Sequence, residues 1–175
     1  QFNSPPNKTI TDFSGRYCHE LDTVNFLSSG KEWYGEEFMD APGKSLTRKF
    51  SLNIPGMLTS TPVVLQTNCI ARSAGAASRF DIKVNNQPVG QIPVDAVAQG
   101  QYAPFAMQAE SVVSSNVSQA SLDIEYSYLP GSFNAQGWLN RFLVFSRNRI
   151  SMSGVNQMQF QDWESEGPGN SGEFI

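Results

Sequence analysis

A chain of 175 residues with a net charge of −4 makes one domain, or one domain with attached pieces, and buries roughly 70% of its unfolded surface. Its low charge, its content of Gly, Pro, Ser and Asn and its twelve Phe suit short strands joined by turns. They argue against a helical bundle, which would be richer in Leu, Glu and Lys, and the lack of a concentrated basic cluster argues against nucleic acid as a partner. No apolar run approaches the eighteen or so residues of a membrane span, and no charged start with an apolar stretch reads as a signal peptide.

Residues 1–15, QFNSPPNKTITDFSG, are polar and Pro-broken and read as a lead-in, followed by RYCHELD as a short strand. NFLSSGKEWYG is turn-rich, and DAPGK at 40–44 sets the expected start of the compact domain. From there the pattern becomes regular. Leu46, Phe50, Leu52 and Ile54 alternate with Thr47, Lys49, Ser51 and Asn53, with Arg48 out of place on the apolar side. Pro62 to Ala71 is the next strand, with Val63, Leu65, Cys69 and Ala71 on one face. Phe80, Ile82 and Val84 alternate with charged residues, and Asn85-Asn86, which tolerate positive φ, turn the chain into Val89 to Val94 as a hairpin. Residues 95–109 are ambiguous, with Pro104 limiting any helix. Ala120, Leu122, Ile124, Tyr126 and Tyr128 form another alternating strand, closed by Pro130-Gly131.

Gly137 to Arg149, GWLNRFLVFSRNR, holds the densest apolar run. As a strand it places Trp138, Phe142 and Val144 on one face and Leu139, Leu143 and Phe145 on the other. As a helix, Trp138, Leu139, Phe142 and Leu143 share a stripe equally well, so its neighbours decide. They are strands, which makes this a central strand covered on both faces. Gln157 to Phe160 alternate again, GPGNSG at 167–172 is a turn or linker, and Phe174-Ile175 resembles the start of an unfinished strand. The expected fold is all-β, an antiparallel, jelly-roll-like β-sandwich behind an irregular N-terminal lead-in. The expected division is a lead-in over 1–44, the sandwich over 45–153 and final strands over 154–175 that lead toward the next domain of a longer parent chain.

Candidate chemistry is sparse. The only histidine, His19, adjoins Cys18, but neighbours on a strand point to opposite faces and form no Cys-His dyad. A dyad of His19 with Cys69 is geometrically open; a structural His and an inert buried thiol is the plainer reading. The facing of Cys18 and Cys69 is awkward for a disulfide, so two unpaired buried thiols are expected. Glu20, Asp22, Asn25, Glu36 and Glu37 offer oxygens to a calcium ion, yet no glycine-pinned acidic loop frames them and a solvated acidic face is the alternative. No nucleophile elbow, P-loop or dinucleotide fingerprint is present. The expectation is no catalytic, cofactor-binding or metal site and no cofactor. Trp33-Tyr34 and Trp163 would stack on sugars if exposed; alternatively Trp33 plugs the seam between lead-in and sandwich.

HELDTVNFLSSGKEWYGEEF, 19–38, with Trp33, Gly35, Glu36 and Phe38, resembles the W-x-GE-x-F pattern of the type IX secretion sortases, PorU-like, gingipain-related cysteine peptidases of Bacteroidetes. GWLNRFLVFSRNRI and NQMQFQDWESEGPGNSGEFI resemble the strand, turn and next strand that lead toward that family's peptidase domain, with Asn140 where Asp is usual and Asn148 between two arginines. These motifs are structural. The resemblance implies a non-catalytic structural or interaction domain, with the catalytic residues downstream, on the extracellular face of the outer membrane. Its partners would be the parent-chain peptidase domain and, in addition, cargo C-terminal domains or secretion components. The alternative of a different class is a carbohydrate-binding β-sandwich module.

Overall fold

A computed structural model describes residues 5–26, 30–152 and 156–175. Its strands are β1 (Lys8–Ile10), β2 (Asp12–Glu20), β3 (Glu37–Met39), β4 (Thr47–Asn53), β5 (Val63–Arg72), β6 (Ser78–Val84), β7 (Gln87–Val94), β8 (Met107–Ser115), β9 (Ser121–Leu129), β10 (Gln136–Arg149) and β11 (Gly172–Phe174). One antiparallel sheet has the order β4-β9-β6-β7; the other runs β2-β10-β5-β8, with β3 also on β10. Apolar side chains from both sheets meet in a single core, where Leu65, Phe142 and Val144 of one sheet face Ile82, Leu122, Ile124 and Tyr126 of the other. This is the antiparallel β-sandwich that the alternating segments predict.

Local chemistry explains the elements. Apolar side chains fall at alternate positions in β4 (Phe50, Leu52), β6 (Phe80, Ile82, Val84) and β9 (Leu122, Ile124, Tyr126, Tyr128), and all but Phe50 are buried. Asn85 and Asn86 take φ of 50° and 65°, the two left-handed residues of a hairpin turn whose twist suits the flanking strands. Arg48, the apparent misfit on the apolar side of β4, donates from Nε and Nη2 to the Glu37 carbonyl at 3.2 and 2.9 Å. Met107, Ala109 and Val113 of β8 pack on the core; the last three residues of the ambiguous stretch, 107–109, open this strand, which pairs with β5 along its length.

Three expectations are corrected. First, the sandwich does not begin after residue 44: β2 pairs with β10 from Asp12 to Glu20, and β3 follows it against β10 at 136–138. The lead-in supplies a full sheet edge because β10, at fourteen residues, would otherwise leave its backbone groups unpaired on that side. Second, Trp138 does not share a face with Phe142 and Val144. The register of β10 on β5 shifts between Leu139 and Arg141, and this bulge at Asn140 puts Leu139 into the main core and turns Trp138 outward. Leu143 and Phe145 on the outer face are only half-buried, so β10 is central but not covered equally on both faces. Third, Gln157 to Phe160 are not a strand. Phe160 instead packs its ring against Phe13 and Phe174, and the only strand in 156–175 is β11, parallel to β1.

One residue of β10, Arg147, ties the C-terminal segment to the sandwich alongside the β1-β11 pairing and the Phe13–Phe160 contact. Arg147 donates to Ser14 Oγ at 3.0 Å and to the Asp12 carbonyl at 3.1 Å, and it pairs with the carboxylates of Asp12 and Asp162. Asp162 is almost fully buried and also accepts from the Glu164 amide at 3.0 Å, capping a 3₁₀ turn at Trp163–Ser165. The GPGNSG segment turns as expected and is closed by Asn7, whose Nδ2 donates to Gly169 O and whose Oδ1 accepts from the Ser171 amide, both at 3.0 Å. No helix among the described residues is long and apolar enough to cross a membrane.

Candidate functional site

The pleat of β2 separates Cys18 from His19, and Cys69 lies on a different strand, β5. Cys18 is exposed on the outer face, a correction to the expected buried thiol, while His19 turns inward. His19 stacks on Phe142 with ring centroids 5.0 Å apart, and its Nε2 lies 2.7 Å from Glu36 Oε1. Cys69 is 1% exposed and donates to the Ala109 carbonyl at 3.7 Å. Burial, with a smaller contribution from Glu110, pushes its thiol up to about 12, so it stays protonated and unreactive at neutral pH. Both thiols are free.

The oxygen-bearing residues do not gather into an ion cage. Glu36 goes to His19, Glu37 takes Lys44 Nζ at 2.6 Å, and Glu20 and Asp22 line an outer cleft. Among the described residues no group of three or more His, Cys, Asp or Glu side chains is placed to hold a metal ion.

The W-x-GE-x-F stretch sorts into pins and one free surface. Gly35 lies against Leu21, where a Cβ would come within 2.5 Å of the Leu21 carbonyl oxygen, and its amide donates to Leu139 O at 2.8 Å. Phe38 is fully buried, edge-on to Phe80. Tyr34 is buried with Ile70 and Trp138 in a second apolar cluster, beside Phe26 and Phe105. Its hydroxyl donates to Glu32 Oε2 at 3.0 Å, and burial together with Glu32 raises its pKa to about 12. Trp33, in contrast, is 44% exposed. The seam expected for Trp33 is filled by its neighbour Tyr34, because Val24 and Tyr34 form a backbone bridge that aims Tyr34 at the sheet. Trp163 is exposed on the 3₁₀ turn.

Trp33 borders an open cleft of about 270 Å³ on the outer face of the β2-β10-β5-β8 sheet. The cleft crosses the strands. Glu20 lies opposite Arg141, Arg141 opposite Asn68, and Asn68 opposite Glu110, one row over four strands. The row is organised, with Asn68 Nδ2 donating to Glu110 Oε1 at 2.5 Å and Asn140 Nδ2 donating to Asn68 Oδ1 at 2.8 Å. The bulge makes this possible, since it lets Asn140 and Arg141 both face the cleft. A more apolar cavity of about 250 Å³ adjoins it, walled by Tyr34, Ile70 and Phe105. Sequence reasoning found Trp33 but missed Asn68, Glu110, Asn140 and Arg141; the available signal was a polar Asn-Arg pair inside an otherwise apolar strand.

Comparison with known proteins follows the fold. No protein-family model matches the chain, and no curated protein does. Among solved structures, dimeric latent PorU from Porphyromonas gingivalis overlays 98% of this chain with a TM-score of 0.75 at 18% identity. The chain spans 16% of the length of that protein. Looser overlays are given by the CBM36-1 domain of a multidomain xylanase from the hindgut metagenome of Trinervitermes trinervoides and by a carbohydrate-binding module CBM36 in complex with calcium and xylotriose. The first has a TM-score of 0.43 at 7% identity over 74% of this chain and 96% of that one. The second has a TM-score of 0.42 at 11% identity over 78% and 93%. Over nearly its whole length, then, the chain is a PorU-like region in fold.

Proposed function

We propose that the chain is a non-catalytic β-sandwich domain of a cell-surface, type IX secretion sortase-like protein, spacing or scaffolding a peptidase domain that processes and anchors secreted cargo. The observation that supports it most directly is the overlay of 98% of the chain on a 16% portion of PorU, the pattern of one domain within a larger protein. The site chemistry agrees: Cys69 is a protonated, buried thiol and His19 is engaged by Glu36 and two aromatic rings. On this reading the domain lies on the extracellular face of the outer membrane and touches the parent-chain peptidase domain, cargo C-terminal domains or secretion components.

The test is size-exclusion and pull-down of the folded 175-residue chain with the parent-chain peptidase domain and with type IX cargo C-terminal domains. Saturable binding to either is expected. A folded chain that binds neither overturns the interaction role. A thiol-directed peptidase inhibitor that modifies Cys69 in the native protein would overturn the non-catalytic assignment.

A second reading, a carbohydrate-binding module, is favoured by one observation: of the three aromatics singled out for sugar stacking, Trp33 is exposed and borders a cleft of polar side chains.

A further inference from the structure

We infer that the outer cleft of the β2-β10-β5-β8 sheet, with Trp33 at its wall and the Glu20–Arg141–Asn68–Glu110 row as its floor, binds a short neutral oligosaccharide. This rests on the second reading above and is independent of the secretion context.

Three features of the cleft select the ligand. The first is the exposed indole of Trp33. Other residues of the W-x-GE-x-F stretch have structural duties: Gly35 permits a close backbone approach, Glu36 holds His19, and Phe38 fills the core. Trp33 has none comparable, and an indole face left in water offers flat apolar area at low entropic cost, which suits the apolar face of a pyranose ring.

The second feature is the mixture of polar groups. Sugar hydroxyls donate and accept at once, so their complement holds donors and acceptors side by side. The floor provides both: a guanidinium at Arg141, amides at Asn68 and Asn140, carboxylates at Glu20 and Glu110. A site for an isolated cation would gain nothing from Arg141, and a site for an anion would be weakened by the carboxylates. Asp22 and Glu32 add negative charge to the walls and Lys31 one positive charge, so four carboxylates face two cations and a neutral sugar is preferred over a uronic acid.

The third feature is shape and preorganisation. The row crosses four neighbouring strands, and three interstrand spacings of ~4.8 Å make a track of roughly 14 Å, suited to a few linked sugars rather than one. Asn68 is only 4% exposed and is fixed from two sides, accepting from Asn140 and donating to Glu110. Asn140 is itself placed by the bulge in β10. The polar floor is therefore held in position before a ligand arrives, which lowers the ordering cost of binding.

The experiment is isothermal titration of the 175-residue chain with cellohexaose, xylohexaose, mannohexaose, hexagalacturonic acid and a Lys-rich peptide. At least one neutral hexaose is expected to bind, and more tightly than hexagalacturonic acid. Trp33→Ala should weaken that binding at least tenfold and Asn140→Ala several-fold, whereas Trp163→Phe should leave it unchanged. Thermal melts of the variants confirm folding, and if Trp33→Ala fails to fold, Asn140→Ala and Arg141→Met carry the test. The inference is overturned if no neutral hexaose binds at millimolar concentration, if binding is indifferent to the cleft variants, or if the Lys-rich peptide or hexagalacturonic acid binds more tightly than every neutral hexaose.

Discussion

The two sheets of the sandwich share one core but differ on their outer faces. The β4-β9-β6-β7 sheet turns its outer side to water. Its cross-strand contacts there are polar: Ser51 Oγ donates to Asp123 Oδ1 at 2.6 Å, and Lys49 and Lys83 reach Glu125 at 2.8 and 3.0 Å. The β2-β10-β5-β8 sheet is partly roofed by the segment around Val24, Phe26 and Tyr34 and by Phe105, which pack on Ile70 and Trp138. Where the roof stops, the polar row begins. A sheet wetted on one side has to alternate strictly, whereas a partly roofed sheet carries a second apolar patch and a recess beside it. The difference between the sheets is what gives this protein a cleft.

The largest effect should come from the shared core. Phe142 is fully buried and its ring contacts His19, Phe50 and Tyr126, joining both sheets. Phe142→Ala should cost about 4 kcal/mol in chemical denaturation, the range for a fully buried aromatic. Trp138→Ala removes the centre of the roofed patch instead. It should cost about 3 kcal/mol, less than Phe142→Ala because one wall of the patch is a loop that can close in. If the two losses are equal, the roof is as much a core as the sandwich seam and the contrast between the faces is smaller than drawn.

Arg147→Met probes the edge that β2 adds to the roofed sheet and the C-terminal segment anchored beside it. It leaves Asp162, 1% exposed, without its guanidinium. Removing one partner of a fully buried pair costs about 3–5 kcal/mol; Arg147 is 31% exposed, so about 2 kcal/mol is expected. Limited proteolysis of the variant should cut first between residues 156 and 175. Cleavage within β2 before that segment would mean that Arg147 holds the sheet edge more than the C-terminal turn.

The same contrast decides what could be read in the sequence. The wetted sheet was legible almost residue by residue, since Phe80-Ile82-Val84 and Leu122-Ile124-Tyr126-Tyr128 each keep a period of two, and Asn85-Asn86 mark their own turn. The roofed sheet was legible only in part. β2 carries Gly15, Arg16 and Cys18 among its aromatics and finds its partner more than a hundred residues away, a pairing that local pattern does not contain. A bulge is invisible to a period-two reading, so Trp138 was assigned to the wrong face, and with it the polar row went unseen. Gln157 to Phe160 alternate without a sheet to join. Trp33 and Tyr34 are adjacent aromatics, and only the Val24–Tyr34 bridge decides which is buried.

The smallest effect tests the wetted face. Glu125 accepts from Lys49 and from Lys83, and these two hydrogen bonds hold its carboxyl below the ordinary value of 4.5. A carboxylate with a depressed folded-state pKa stabilises the fold above its unfolded-state pKa, and that contribution is lost as pH falls through the folded-state value. Both lysines are largely exposed, at 67% and 44%, so solvent and salt screen the pair. Glu125→Gln should therefore cost about 0.5 kcal/mol or less at neutral pH. The difference from wild type should vanish on acidification below the ordinary carboxylate range and shrink in high salt. A larger loss that persists in salt would mean that this face is desolvated in the native assembly, and the two faces of the sandwich would then differ in what covers them rather than in whether they are covered.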